Sequence, residues 1–148
     1  MKFDNDRDLF LYVLKGDVRA VALCEALSEI SQVWDDLIDR DIQPAPERVT
    51  GAFYSALIDV PSNPFFQAFS GHLLPVMQSV IFDWLSANQL EKTHTQVAYT
   101  LRDSLAGFVV TCASLIGGKD WAIEVAPLIR SYVHDEDFQE YMKEHGNG

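Results

Sequence analysis

The sequence predicts an all-α protein, and three observations lead to that prediction. Apolar residues recur at spacings of three and four along most of the chain, whereas the alternation typical of β-strands does not persist. Glycine and proline are grouped between these periodic segments, where helices are expected to end. The length of 148 residues suits one domain with a sizeable core. We therefore expect a single compact domain over residues 1–148, with six to eight helices packed around a central apolar helix at about 94–116.

The first half of the chain divides into three predicted helices. A short helix at about 6–15 ends at Gly16, and Asp17 is a suitable N-cap for a long second helix that reaches Arg40. Pro46 suits the first turn of a third helix, which extends to about Asp59.

The next segment contains the clearest break in the sequence, at 60–64, where two prolines and an asparagine occur together. A short helix is expected to follow and to end at Gly71. The helix after it, at about 73–90, tolerates Pro75 because that residue lies in its first turn.

The last part of the chain contains the central helix and two further helices. Thr93 and Gln96 form a capping-box pattern at the start of the central helix, which stops at Gly117 and Gly118. Asp120 suits the cap of a seventh helix, and Pro127 predicts a kink in it. A final acidic helix is expected at about 135–145, where Asp135–Asp137 place favourable charge in its first turn beside His134. A frayed tail at 146–148 follows.

Charge and cysteine content restrict the function classes. With 22 acidic and 11 basic residues the net charge is −11, which disfavours direct binding to a nucleic-acid backbone and favours a protein partner with a basic surface. Cys24 and Cys112 lie in apolar helical segments, so we interpret both as small buried hydrophobes. The apolar stretch 104–116 is shorter than the ~20 residues of a membrane span, and the N-terminus is too polar for a secretory signal. We expect no membrane association and an intracellular setting.

The sharpest local feature is an aspartate array near the end of the second helix. Asp35, Asp36 and Asp39 lie close to the C-terminal turn, where the helix dipole disfavours negative charge, and Glu29 precedes them on the same helix. Three interpretations remain open: a solvated or turn-making role, a partner-binding surface, and a Mg²⁺ site with Glu29 assisting. We expect no cofactor under the first two, and Mg²⁺ only under the third.

Two pairs of adjacent residues are further candidates for contacts. Arg102 and Asp103 interrupt an apolar helix, so each charge needs a partner or exposure, and a structural ion pair is favoured over catalysis. Phe65 and Phe66 are adjacent rings that one helical face cannot bury together. We therefore predict a partner or self-association surface at Phe65 and Phe66, and a homo-oligomer is possible.

Three stretches of sequence also occur together in a recognisable order. They are Val33–Asp39 (VWDDLID), Asn63–Phe66 (NPFF), and Ala98–Asp103 (AYTLRD), the last followed by Gly117–Gly118 and Ala126–Arg130 (APLIR). Together they resemble a family of small conserved proteins that tailed bacteriophages and prophages encode, a family without an established activity. The resemblance covers about residues 20–142. It implies a phage origin and action in a bacterial host cytoplasm or in the virion, and it supplies no catalytic residues.

The two functional hypotheses belong to different classes. The favoured one is a non-enzymatic phage accessory protein that acts through protein–protein contacts, as a virion or tail-assembly factor or as a modulator of a host system. Asp35, Asp36, Asp39, Phe65 and Phe66 would then bind the partner. The alternative is a Mg²⁺-dependent hydrolase of a diphosphate or nucleotide, with the array and Glu29 as metal ligands and Arg102 neutralising phosphate.

Overall fold

The computed structural model describes residues 1–39, 43–134 and 142–144, and over these residues the protein is all-α, as predicted. The elements are α1 (Asp6–Val13), α2 (Val18–Asp39), α3 (Pro46–Tyr54), a π-helical turn (Ser55–Asp59), α4 (Val60–Ser62), α5 (Pro64–Leu90), α6 (Thr95–Leu101), α7 (Leu105–Gly117) and α8 (Lys119–Val133). Most of the predicted acidic C-terminal helix and its tail lies outside the described residues.

The chain divides into two compact units. The first unit is Lys2–Ser70, and the second is Gly71–Gly148 with Met1. The boundary falls inside α5, which therefore contributes residues to both.

The first unit packs α1 and α2 around a set of buried apolar side chains. Asn5 caps α1 by accepting a hydrogen bond from the Asp8 amide, and Asp17 caps α2 by accepting from the amides of Arg19 and Ala20. The Asp17 cap is thus confirmed. The buried apolar residues of this unit are Leu9, Phe10, Val13, Leu14, Ala20, Val21, Leu23, Cys24, Val33, Val60 and Phe65.

The helical path continues past the expected end of α3 at Asp59. The backbone widens into the π-helical turn and resumes as α4, in which the Val60 amide donates to the Ser55 carbonyl five residues back. Pro61 has no amide hydrogen for the next helical bond, so a π-turn immediately before it accommodates the lost donor. The predicted break at 60–64 is therefore confined to Asn63, the residue with extended backbone angles.

Asn63 explains the NPFF motif structurally. Its side-chain oxygen accepts hydrogen bonds from the amides of Phe65 and Phe66, and its Nδ2 donates to the Arg19 carbonyl at 2.9 Å. Asn63 is thus the N-cap of α5, Pro64 occupies the first helical position, and the cap fastens α5 to the start of α2.

The two predicted helices at 65–71 and 73–90 form one element with a kink. Non-helical backbone angles occur at Phe69 rather than at Gly71, and Pro75 lies within the helix. Between Asp59 and Asp83 the chain has no Asp, Glu, Lys or Arg. Among the described helices α5 is accordingly long and apolar enough to cross a membrane by length and composition, and only 17% of its most apolar window is buried. It is longer than the apolar stretch 104–116 from which no membrane association was expected.

The predicted central helix is divided into α6 and α7 by a turn at Arg102–Ser104. The amides of Asp103 and Ser104 bond three residues back, to Thr100 and Leu101, and the helix axis is interrupted there. The capping-box prediction was wrong, because His94 is the N-cap residue and makes no side-chain cap bond. The Thr95 hydroxyl instead donates to the Glu91 carbonyl.

The second unit is centred on the hairpin of α7 and α8. Its buried apolar residues are Leu73, Val80, Ala87, Ala98, Ala106, Phe108, Val109, Cys112, Ala113, Val125 and Ile129. Gly118 turns the chain with φ +88°, a conformation that favours glycine, and a Cβ on Gly117 would lie 2.5 Å from Trp121. The two glycines therefore allow α8 to begin at Lys119, directly against the end of α7. The prediction that Asp120 caps this helix was wrong, because Gly118 is the N-cap residue and Asp120 lies within the first turn.

Candidate functional site

The aspartate array of α2 is bound by an arginine of the following helix. Arg48 of α3 donates from Nε to Glu29 at 2.9 Å and from Nη1 to Asp36 at 2.6 Å. These hydrogen bonds, first that to Asp36 and then that to Glu29, raise the pKa of the Arg48 guanidinium above its ordinary value. The cation that the C-terminal turn of α2 requires thus comes from the same chain.

The four acidic residues considered as metal ligands do not share one environment. Within the ranges 1–39, 43–134 and 142–144, no group of three or more His, Cys, Asp or Glu side chains is arranged to hold a metal ion. Asp36 and Glu29 face Arg48, whereas Asp35 is half-buried and Asp39 is exposed. The chemistry that this arrangement performs is anchoring, because two carboxylates of α2 fix the position of α3 through one guanidinium.

The aromatic pair at the start of α5 is less accessible than its sequence suggested. Phe65 is only 6% exposed and packs on Phe69 with ring centroids 4.9 Å apart, while Phe66 is half-buried. The Asn63 side chain bonds to the backbone amides of both residues. The expected pair of exposed rings therefore reduces to part of Phe66.

Arg102 and Asp103 each pair with another residue of the second unit, as the ion-pair interpretation predicted. Arg102 donates to Glu91 at 2.9 Å, and both side chains are less than one quarter exposed. Its guanidinium is therefore engaged within this unit rather than presented as a free phosphate-binding group.

Asp103 is the centre of a more buried polar cluster. Its carboxylate is 9% exposed and accepts from Arg130 at 2.5 Å and from His134 at 2.6 Å, and Arg130 also donates to the Asp103 carbonyl. The His134 ring packs against Tyr99 with centroids 4.7 Å apart. His134 is the C-cap of α8, so this cluster fastens the end of α8 to the turn between α6 and α7. Residues 135–137, predicted as the first turn of the acidic helix beside His134, lie outside the described residues.

A cavity of about 320 Å³ adjoins this cluster. Its polar lining consists of Ser79, Asp83, Ser104 and Arg130, and the rest of its wall is apolar or glycine. The Ser104 hydroxyl donates to Asp83 at 2.6 Å, and Arg130 is held by Asp103. Each charged group of the lining therefore already has a partner, Asp83 in the Ser104 hydroxyl and Arg130 in Asp103.

A concave surface of the first unit is more open than this cavity, and we call it the α3 groove. It measures about 620 Å³ and is lined by Pro46, Glu47, Thr50, Gly51, Tyr54, Ser55 and Asp59. Glu47 and Asp59 give it two carboxylates, and Tyr54 gives it an aromatic ring that is 57% exposed. Phe53, Leu57 and Ile58 are exposed on the same helical stretch. The groove therefore combines negative charge with exposed apolar surface.

Sequence reasoning missed the α3 groove and the role of Arg48. The aromatic residues of α3 occur at helical spacing, which is typical of a core helix, but spacing alone does not say which face is buried. The sequence indicates the role of Arg48 only weakly. It is the first basic residue of the helix that follows the array. The partners of Asp103 lie 27 and 31 residues away in sequence, so no local pattern indicates them.

Comparison with family models, with curated proteins and with solved structures found no match.

Proposed function

We propose that this chain is a small accessory protein of a tailed bacteriophage, without enzymatic activity, that binds a protein partner with a basic surface. The phage setting, in the host cytoplasm or the virion, rests on the sequence resemblance. The mode of action rests on one observation, the acidic and aromatic α3 groove.

The chemistry of the groove selects the partner. Glu47 and Asp59 are exposed carboxylates, and among the described residues no Lys or Arg lines the groove beside them. A lysine or arginine of the partner can pair with them while an apolar side chain covers Tyr54. Tyrosine is a frequent anchor of protein interfaces because its ring buries a large area and its hydroxyl remains able to bond.

The aspartate array contributes to this function by positioning the groove. Arg48 lies on α3 within the stretch that lines the groove, and its bonds to Glu29 and Asp36 hold α3 on α2. Asp39 is a candidate for direct contact with the partner because it is exposed, and Asp35 remains a candidate from the sequence. Phe66 also remains a candidate for direct contact with the partner, because its side chain is partly exposed.

A capture experiment tests the proposal. The immobilised chain is exposed to lysates of infected and uninfected bacteria at low and high salt, and bound proteins are identified by mass spectrometry. We expect a defined basic protein that is retained at low salt and released at high salt. Tyr54→Ala should weaken retention by about 2 kcal/mol, roughly thirtyfold, and Asp59→Asn should reduce its salt dependence.

The matched control is Ile123→Ala, which truncates an exposed apolar side chain on α8. This variant should capture the same protein as the wild type. Failure to capture any salt-sensitive partner, or equal capture by Tyr54→Ala and Ile123→Ala, would contradict the proposal.

A further inference from the structure

The cavity of the second unit is lined by two opposite charges that do not pair with each other. It measures about 320 Å³, and all of its lining residues belong to that unit, Arg130 and Asp83 among them. Arg130 forms its ion pair with Asp103, whereas Asp83 accepts the neutral Ser104 hydroxyl. Among the residues that the structure describes, no ion pair joins the two charges of the lining, so a ligand can lie between them.

Each of the two charged groups keeps atoms with which to bind a ligand. Both bonds from Arg130 to Asp103 come from Nη1, which leaves Nη2 beside the cavity wall at Gly107. The Ser104 bond occupies Oδ2 of Asp83. A guanidinium has five N–H donors and a carboxylate can accept several hydrogen bonds, so the existing bonds satisfy each group only in part.

Gly107 leaves the cavity wall open next to the guanidinium. A Cβ at this position would lie 3.6 Å from Arg130 Nη2, which is an ordinary contact and causes no clash. Alanine is the better helix former, and Gly107 lies within α7. The packing of the fold therefore tolerates an alanine at this position, whereas a methyl group there would fill the space in front of Nη2.

The rest of the wall determines which class of ligand fits. Pro75, Val76 and Val80 give the cavity an apolar side, and its volume lies at the lower end of ligand pockets, about 300–1,000 Å³. An anion bound to Arg130 would be repelled by Asp83, and a cation bound to Asp83 would be repelled by Arg130. A small molecule with both charges and an apolar group avoids both repulsions.

We propose that this cavity binds a free apolar α-amino acid. The carboxylate of the ligand accepts hydrogen bonds from Arg130 Nη2, and its ammonium group donates to Asp83. The side chain of the ligand lies against the apolar wall. This site belongs to the second unit and the α3 groove to the first, so the proposal does not depend on the partner of that groove.

Calorimetric titration of the full-length chain tests the proposal. The probes are L-valine, L-leucine and L-methionine, titrated in turn at millimolar concentration, and we expect saturable heat. For the tightest of these ligands, the deaminated acid and the decarboxylated amine keep the apolar group and one charge each. Both analogues should bind at least roughly tenfold more weakly, because each leaves Asp83 or Arg130 without its counter-charge. Inorganic phosphate should give no saturable heat.

Two variants of the cavity test its geometry and its charge. Gly107→Ala should raise the dissociation constant of the amino acid by at least roughly tenfold. The matched control is Gly71→Ala, where a Cβ meets no atom within 4 Å, and it should bind like the wild type. Asp83→Asn retains an acceptor for the Ser104 hydroxyl but loses the charge, so it should no longer prefer the amino acid to the deaminated acid.

Circular dichroism verifies that the variants fold. The absence of saturable heat from all of the amino acids overturns the proposal, and it does so without any variant. Equal or tighter binding of phosphate or of the deaminated acid to the wild type also overturns it, because the cavity would then be an anion site. A folded Gly107→Ala chain with wild-type affinity places the binding elsewhere and overturns the proposal as well.

Discussion

The junction of α2 with α3 and the fastening of α8 to the α6–α7 turn use the same chemistry in different surroundings. In the first, Arg48 bonds to Glu29 and Asp36, and all three side chains are 29–54% exposed. In the second, Asp103 is 9% exposed and accepts from both Arg130 and His134. An ion pair in water contributes little stability, whereas a buried carboxylate depends on its donors. The exposed pair therefore orients a surface, and the buried cluster stabilises a fold.

The largest effect is expected when the buried cluster is broken. Asp103→Ala removes the acceptor of Arg130 and His134 and should lower the free energy of unfolding by about 2–3 kcal/mol. Arg130 is 44% exposed and can regain water, which keeps the loss below that of a fully buried pair. Urea denaturation measures the loss. Asp120→Ala, an exposed aspartate in the first turn of α8, is the control, and equal losses for the two variants would refute the comparison.

A second test compares glycines of the two units. Gly117→Ala brings a Cβ within 2.5 Å of Trp121, so the indole must shift and the chain should lose about 1–3 kcal/mol of stability. Gly51→Ala in α3 meets no atom within 4 Å and should stabilise that helix by about 0.5–1 kcal/mol. Urea denaturation of both variants gives the signs, and a destabilising Gly51→Ala would show that α3 is more tightly packed than its exposure indicates.

Removal of the exposed ion pairs of Arg48 should lower the free energy of unfolding by a smaller amount, and added salt should remove the difference. Arg48→Gln deletes the cation that Glu29 and Asp36 share, and the difference in stability from the wild type should shrink as salt rises. Because the pKa of Arg48 is raised, its contribution persists from neutral pH up to its ordinary titration range and is lost only as pH rises beyond that range. Urea denaturation at two salt concentrations measures the salt dependence, and the loss caused by Arg48→Gln should be the same at pH 7 and at pH 9. A loss that is insensitive to salt would place Arg48 among the fold-stabilising residues instead.

The hypothesis of a metal-dependent hydrolase predicts saturable Mg²⁺ binding, whereas the pairing of Arg48 with Glu29 and Asp36 predicts none. Calorimetric titration of Mg²⁺ into the wild type should give no saturable heat, because Asp36 and Glu29 are bound to Arg48. Asp36→Ala is the matched variant and should behave in the same way. Saturable binding to the wild type that Asp36→Ala abolishes would favour the hydrolase.

The helical class, the Asp17 cap and the burial of Cys24 and Cys112 were predictable because each depends on local pattern or on apolar content. The division of the central helix at Arg102–Ser104 was not, since the side chains that bind this turn come from Asp83, Glu91, Arg130 and His134. The start of α5 at Asn63 depends on one capping oxygen, which accepts from the amides of Phe65 and Phe66. In each case a contact distant in sequence or a single hydrogen bond decided what periodicity left open.

The proposed function places partner recognition on the α3 groove and gives the aspartate array a positioning role. The most direct test is to measure the dissociation constant of the captured partner for Tyr54→Ala and for the double variant Asp35→Asn, Asp39→Asn, side by side with the wild type. We expect a loss of roughly thirtyfold for Tyr54→Ala and a smaller loss for the array variant. A large loss for the array variant with Tyr54→Ala unchanged would contradict the proposal and would move the binding surface to the end of α2.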